Sequence, residues 1–152
     1  MNTLAVRLWS LQNVFMLFLA SPKIVEINER RCVVRVPLNW RTRRRDIKAM
    51  YLGVLCMGAD VAAGLIAFDL VRKQKARVSF IFKDIKGEFL KRAEGDVLFT
   101  NEDGPVIVDL LRKTMESGER EEATVHVTAT VPDKLGDEPV ARFELTLSLK
   151  RR

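Results

Sequence analysis

Asp60 carries the clearest chemical signal in this sequence. It sits in the middle of Met50–Val71, MYLGVLCMGADVAAGLIAFDLV, a run that is apolar on all sides. Such a run predicts a helix buried in a core rather than one lying on a surface. A carboxyl group placed there loses its hydration, and desolvation raises its pKa toward the range useful to a general base or nucleophile. The same residue could instead be a structural acid, satisfied by backbone amides, a hydroxyl or an arginine across an interface. Gly53 stands near the start of the run, where the first amides of a helix have no intrahelical acceptor. Lacking a side chain, it leaves its amide open to a carbonyl oxygen, the arrangement that stabilises a developing oxyanion. Seven residues separate Gly53 from Asp60, about 10 Å along a helix axis. One substrate atom therefore cannot meet both groups within a single subunit. Tyr51, just before them, reads as a packing aromatic with its hydroxyl bonded ahead of any electrophilic role.

A second feature leads into the same helix. Trp40-Arg41-Thr42-Arg43-Arg44-Arg45 puts cations ahead of a helix N-terminus, where positive charge opposes the dipole. Arg43, Arg44 and Arg45 read either as a solvated loop or as the holders of an anion such as a phosphate. His126, the only histidine, shares a face with Thr124 and Thr128 opposite the valines, so catalysis by it is not expected. Cys32 and Cys56 both lie in apolar surroundings and read as small buried hydrophobes in a reducing, cytoplasmic setting. No Ser-His-Asp or Cys-His pairing, glycine-rich phosphate loop or metal-ligand cluster is legible, and no metal is expected.

The elements that must position these residues follow from periodicity. At 152 residues, 47% apolar and 30% charged, the chain has the composition of one soluble globular domain. Its net charge of +6 favours anionic partners, but no nucleic-acid reader motif or aromatic interleaving supports a nucleic-acid module. Residues 2–20 carry Leu4, Leu8, Leu11, Phe15 and Phe18 at helical spacing and predict an N-terminal docking helix. A signal peptide or membrane contact through this segment is the lesser expectation, since Gln12 and Asn13 interrupt it. Met50–Val71 is also long enough to span a bilayer, but Asp60 at mid-depth would cost about 3 kcal/mol. Strands are predicted at 23–28 and 31–38 with a turn at Asn28-Glu29-Arg30, then at 76–90, 95–100, 121–131 and 140–150. A bulge is expected around Asp84–Gly87 and a short helix from Asp103-Gly104-Pro105 to Gly118. Six strands apolar on one side, with one helix apolar all round, predict an α+β domain whose curved, mainly antiparallel sheet wraps that helix.

This order, and the residues of the central helix, resemble the hotdog-fold thioesterases. The branch acting on phenylacetyl-type acyl-CoA carries His-Gly-Gly, several apolar residues, then Ala-Asp. Tyr51-Leu52-Gly53 stands at the first position and Ala59-Asp60 at the second, followed by Val61-Ala62-Ala63-Gly64. The pattern is closer still to an uncharacterised thioesterase-like branch with a Met-Tyr-x-Gly start and a Gly-Ala-Asp-x-Ala-Ala-Gly end. The likeness extends from Arg31 onward in element order and is sharp over Met50–Gly64. Departures fall where the family's loop asparagine and glycine would be, near Arg45 and Lys48, and at Tyr51 and Leu52. The carboxylate position is thus retained while the carbonyl-binding end differs. Together with the helix read from periodicity, this likeness divides the chain into an N-terminal helix over residues 1–22 and a single hotdog domain over 23–152. The resemblance also implies a homodimer or dimer of dimers, with Gly53 and Asp60 meeting across subunits. The implied ligand is an acyl-CoA or related acyl thioester, bound and hydrolysed through Asp60, Gly53 and Tyr51. Arg43, Arg44 and Arg45 would hold the phosphates of the CoA moiety, with no cofactor required. The alternative is a non-catalytic acyl-binding or scaffolding homodimer, which the Tyr51-Leu52 replacement favours.

Overall fold

The computed structural model describes residues 1–152. The N-terminal segment is two helices rather than one, α1 (Thr3–Asn13) and α2 (Phe15–Ala20). The break falls at Val14, with φ −144° and ψ 83°. Just before it, the Asn13 side-chain amide donates to the Trp9 carbonyl at 2.8 Å, a local bond that competes with helix continuation. The pair leaves Leu4, Leu8, Phe15 and Met16 exposed and turns Val6, Ser10 and Leu17 inward. Strands β1 (Lys23–Ile27) and β2 (Cys32–Val36) follow. The Asn28 side-chain oxygen closes the turn between them by accepting the Arg30 and Arg31 amides.

The expected basic loop contains a two-residue ribbon, β3 (Arg43–Arg44) against β4 (Ala49–Met50). Helix α3 then runs from Leu52 to Lys73, and Arg72 and Lys73 lie in its last turn, where they complement the dipole. After it come β5 (Val78–Phe89), β6 (Val97–Asn101), α4 (Gly104–Ser117), β7 (Glu121–Thr130), the short α5 (Pro132–Leu135) and β8 (Pro139–Arg151). Gly118 ends α4 at φ 71°, a left-handed conformation that glycine adopts without strain.

Six strands form one antiparallel sheet in the order β1-β2-β6-β7-β8-β5. The link from β5 to β6 therefore crosses the sheet rather than closing a hairpin. Along β8, Ala141, Phe143, Leu145, Leu147 and Leu149 all point into the core, as strict alternation requires. In β5 the register shifts between Phe82 and Asp84. The bulge keeps Phe80, Phe82, Ile85 and Phe89 opposite the inward residues of β8; without it, Ile85 and Phe89 would change face. Helix α3 is long and apolar enough to cross a bilayer, but here the sheet wraps it. It packs on Phe99 of β6, and Asn101 ties β6 to it by donating to the Ala62 carbonyl at 3.1 Å.

The expectation that the central helix is covered on every side does not hold over its N-terminal half. Helix α3 is not buried all round: Leu52 and Asp60 are exposed and Cys56 is half-buried. These lie four residues apart, so they form one open flank on the N-terminal half of the helix. Strand β5 lies next to that flank and at the edge of the sheet, and it leaves Ile81, Ile85 and Phe89 partly exposed.

Candidate functional site

Asp60 is on the open flank and on the wall of two clefts. One is lined by α1, α3 and β5. The other is lined by Cys56, Met57, Phe82 and the β5 bulge. Solvent reaches the Asp60 side chain, yet the apolar walls remove enough hydration to raise its pKa above the ordinary carboxylate value. No hydrogen bond or ion pair holds the carboxyl group within the chain. An acid kept in apolar surroundings without a structural partner is poised to take a proton. Within this chain neither a backbone amide nor a hydroxyl satisfies Asp60, so of the structural alternatives only an arginine across an interface is left.

The buried acid of this helix is another residue, Asp69. It is 5% exposed and meets Lys73 at 2.6 Å, the N-terminal ammonium at 3.5 Å and Arg72 at 3.8 Å. Burial works against ionisation, but the Lys73 bond and the ammonium charge outweigh it and hold the carboxyl below its usual range. A structural role for Asp69 could have been read from its sequence position, three and four residues before Arg72 and Lys73, the spacing at which helical side chains meet.

Tyr51 caps α3 from an extended conformation, φ −66° and ψ 140°, without a side-chain cap bond. Its carbonyl accepts the amides of Val54 and Leu55. The preceding amides, those of Leu52 and Gly53, find no backbone acceptor in the loop before them, as at most helix starts. The Tyr51 ring is half exposed and lies against Gly53, where a Cβ would come within 2.7 Å of Cε1. Contrary to expectation, its hydroxyl bonds nothing in the chain. Tyr51 and Gly53 are thus brought together, and Asp60 stands about two turns away on the same helix.

The loop that carries the arginines is built rather than loose. Buried Thr42 donates to the Pro37 carbonyl at 2.7 Å and accepts the Asn39 amide at 2.9 Å. The Tyr51 amide donates to the Thr42 carbonyl at 2.9 Å, so the ribbon is fixed directly before α3. Arg43 pairs with Met50 and Arg44 with Ala49 in that ribbon. All three arginines are exposed, but they are not equivalent. Arg44 forms a bidentate pair with Asp46 and holds that carboxyl below its usual range, whereas Arg43 and Arg45 meet no acid in the chain. Lys48 takes φ 53°, a conformation that favours glycine; the resembled family has a glycine near this position.

His126 is exposed on β7, between buried Val125 and Val127. Its Nδ1 lies 2.8 Å from the Asp103 carboxylate, which also accepts the His126 amide at 2.7 Å. This pair ties the start of α4 to β7, away from Asp60. No three metal-ligating side chains come together.

Solved structures share this architecture. A protein of unknown function from Chlorobaculum tepidum superposes with a TM-score of 0.83 at 8% identity, covering 99% of this chain and 94% of the other. PA5026 from Pseudomonas aeruginosa, described as a probable thioesterase, gives 0.78 at 20% identity, with 100% and 97% covered. Thioesterase HI1161 from Haemophilus influenzae gives 0.67 at 12% identity, with 95% and 88% covered. No curated protein sequence matches. A six-stranded antiparallel sheet wrapped on one long helix defines a hotdog-fold protein, here with an N-terminal helical pair. More particularly, the chain belongs to the family described as a domain of unknown function (DUF4442), which it matches over residues 15–149.

Proposed function

We propose that this protein is a thioester hydrolase acting on acyl-CoA or a related acyl thioester as a homodimer. The observation that carries this reading is Asp60, an unpaired carboxyl group with a raised pKa on the wall of an apolar cleft. Thioesterases among the structural neighbours support it at the level of fold. In the reaction, Asp60 takes a proton from water as the water oxygen attacks the acyl carbon. The carbon–sulfur bond then breaks, the sulfur leaves with that proton, and the carboxylic acid is released. The oxyanion formed on the way needs an amide donor, and Gly53 of its own helix is about 10 Å off. Gly53 of the partner subunit supplies it when two chains join along β5. The exposed arginines before α3 suit the phosphates of a CoA moiety.

The second reading is a non-catalytic acyl-binding homodimer. It is favoured by one observation, the half-exposed Tyr51 ring that rests on Gly53 at the proposed carbonyl-binding end. Incubation with a panel of acyl-CoA thioesters and a free-thiol readout decides between them. Release of thiol that disappears in Asp60→Asn supports the hydrolase; stoichiometric binding without thiol release supports the carrier.

A further inference from the structure

The cleft between α1 and α3 has a shape that the reaction alone does not call for. On α3 its wall is Asp60, Gly64, Phe68 and Arg72, residues four apart that form one stripe along the helix. On α1 the facing wall is Ala5, Val6 and Trp9, and the rings of Phe80 and Phe82 on β5 form the floor. Asp60 and Arg72 are twelve residues apart, so the cleft follows the helix axis for about 18 Å. Its volume is about 260 Å³. A dry engineered cavity of roughly 150 Å³ accepts benzene, with six carbons, so by proportion this one holds about ten. Trp9 packs edge-on to Phe68, and Phe68 edge-on to Phe80, with centroids 5.5 and 6.3 Å apart. This leaves a long, mainly apolar slot with the Asp60 carboxyl group at one end and the Arg72 guanidinium at the other.

From this we infer that the slot between α1 and α3 binds a linear, medium-length aliphatic acyl chain of about ten carbons, with α1 as its lid. The inference rests on the thioester reading for the chemistry at Asp60, but not for the slot itself. The acyl carbon sits beside Asp60 and the chain runs toward Arg72. Length selectivity then comes from the slot: each methylene buried should tighten binding about fourfold until it is full. Gly64 stands against the floor rings of the slot. A Cβ there would touch the rings of Phe82 and Phe80 at 3.5 and 3.8 Å, ordinary contacts, so a methyl group fits and a larger side chain takes the place of ligand.

The test separates the slot from the chemistry. The chain has two tryptophans: Trp9 on the slot wall and Trp40, 74% exposed, in the basic loop. In Trp40→Phe protein, Trp9 fluorescence reports occupancy. Non-hydrolysable S-alkyl-CoA thioethers from butyl to hexadecyl are titrated, with a phenylethyl thioether as the aryl arm. The expected result is a saturable blue shift of Trp9 emission, with affinity rising to about decyl and then levelling. Gly64→Leu should weaken decyl binding at least tenfold while sparing butyl. Gly64→Ala, which favours the helix, should move the optimum shorter by one or two carbons. An unchanged Trp9 spectrum on saturation, or a length profile that both Gly64 variants leave alone, would overturn the assignment. So would an aryl thioether that outbinds every linear chain. Thiol release from acyl-CoA without any Trp9 response would remove the slot and leave the hydrolase reading standing; Trp9 occupancy without thiol release would do the reverse.

Discussion

The ring of Phe99 lies directly on Gly58, so closely that a Cβ on the glycine would fall 2.2 Å from Cε2 of the ring. Phe99 is fully buried on β6 and has no room to withdraw, since interiors are packed to crystal-like density. Gly58→Ala should therefore lose stability by about 1–3 kcal/mol through overpacking, despite the better helix propensity of alanine. Gly64→Ala on the same helix should be neutral or stabilising, because its methyl group meets only ordinary contacts. Urea unfolding of the two variants checks the pair: the midpoint should fall for Gly58→Ala and hold or rise for Gly64→Ala.

How much of this was legible beforehand depends on which force set each feature. Alternation in β8 and the glycine–proline signals around α4 were readable because they are local. The sheet wrapped on α3 was readable because a helix apolar along its whole length needs cover. The open flank at Leu52, Cys56 and Asp60 was not, since an apolar helix surface looks the same whether its own sheet or another chain covers it. The break at Val14 was also hidden: Gln12 and Asn13 interrupt the apolar run, but the spacing of Leu4, Leu8, Leu11, Phe15 and Phe18 on either side is one that a continuous helix satisfies equally well. At the site, Asp60 stood out by its chemistry. The difference between Arg44 and its neighbours needed the loop geometry that brings Asp46 to one arginine and leaves two free.

Joining of two chains through β5 predicts a dimer that sediments as such at micromolar concentration. Ile85 and Phe89 are 46% and 44% exposed on the helix-facing side of that edge strand, where a partner would cover them. Ile85→Arg should shift the protein toward monomer while leaving the fold of the single chain intact, because the side chain already reaches solvent. Any thiol release should fall with the dimer fraction. A monomer for the unsubstituted protein would remove the two-subunit site.

Asp69 should behave as a structural acid. Its folded pKa is depressed, so its stabilisation is fully present above the unfolded value near 3.9 and is lost as pH falls through the lower folded value. Asp69→Asn should cost about 1–3 kcal/mol at neutral pH, since Lys73, which stays largely solvated, and the N-terminal ammonium both lose their partner. The difference between the two proteins should narrow as acid protonates Asp69. Denaturation at pH 7 and near pH 2 tests both halves.

The arginines before α3 should divide. Arg44 is already neutralised by Asp46, so Arg44→Ala should change CoA affinity little. Arg43→Ala combined with Arg45→Ala should weaken CoA by about tenfold and flatten its dependence on salt, because screening acts on the charges removed. Thermal stability should hardly move, as exposed charges rarely carry it. Equal affinity in the double variant and the parent, titrated with CoA itself, would return the run to a solvated loop.

Asp60→Asn separates catalysis from structure. Asparagine keeps the volume but cannot accept the proton from water, so thiol release should drop by a factor on the order of 100 or more while thioether binding survives. The pH dependence follows from the raised pKa. Only the ionised form acts as base, so activity should fall as pH drops through a midpoint above the ordinary carboxylate range. Stability should show the opposite sense. A group whose folded pKa is raised favours the fold most below its unfolded pKa, and that contribution is lost as pH rises through the folded value. The variant, which never ionises, should therefore melt at or above the parent at pH 7 and show less of this advantage in acid. No partner in the chain is left uncompensated by the change, so there is no reason for a loss. A variant that melts well below the parent, with its rate of thiol release unchanged, would remove Asp60 from the chemistry and make it a support of the fold.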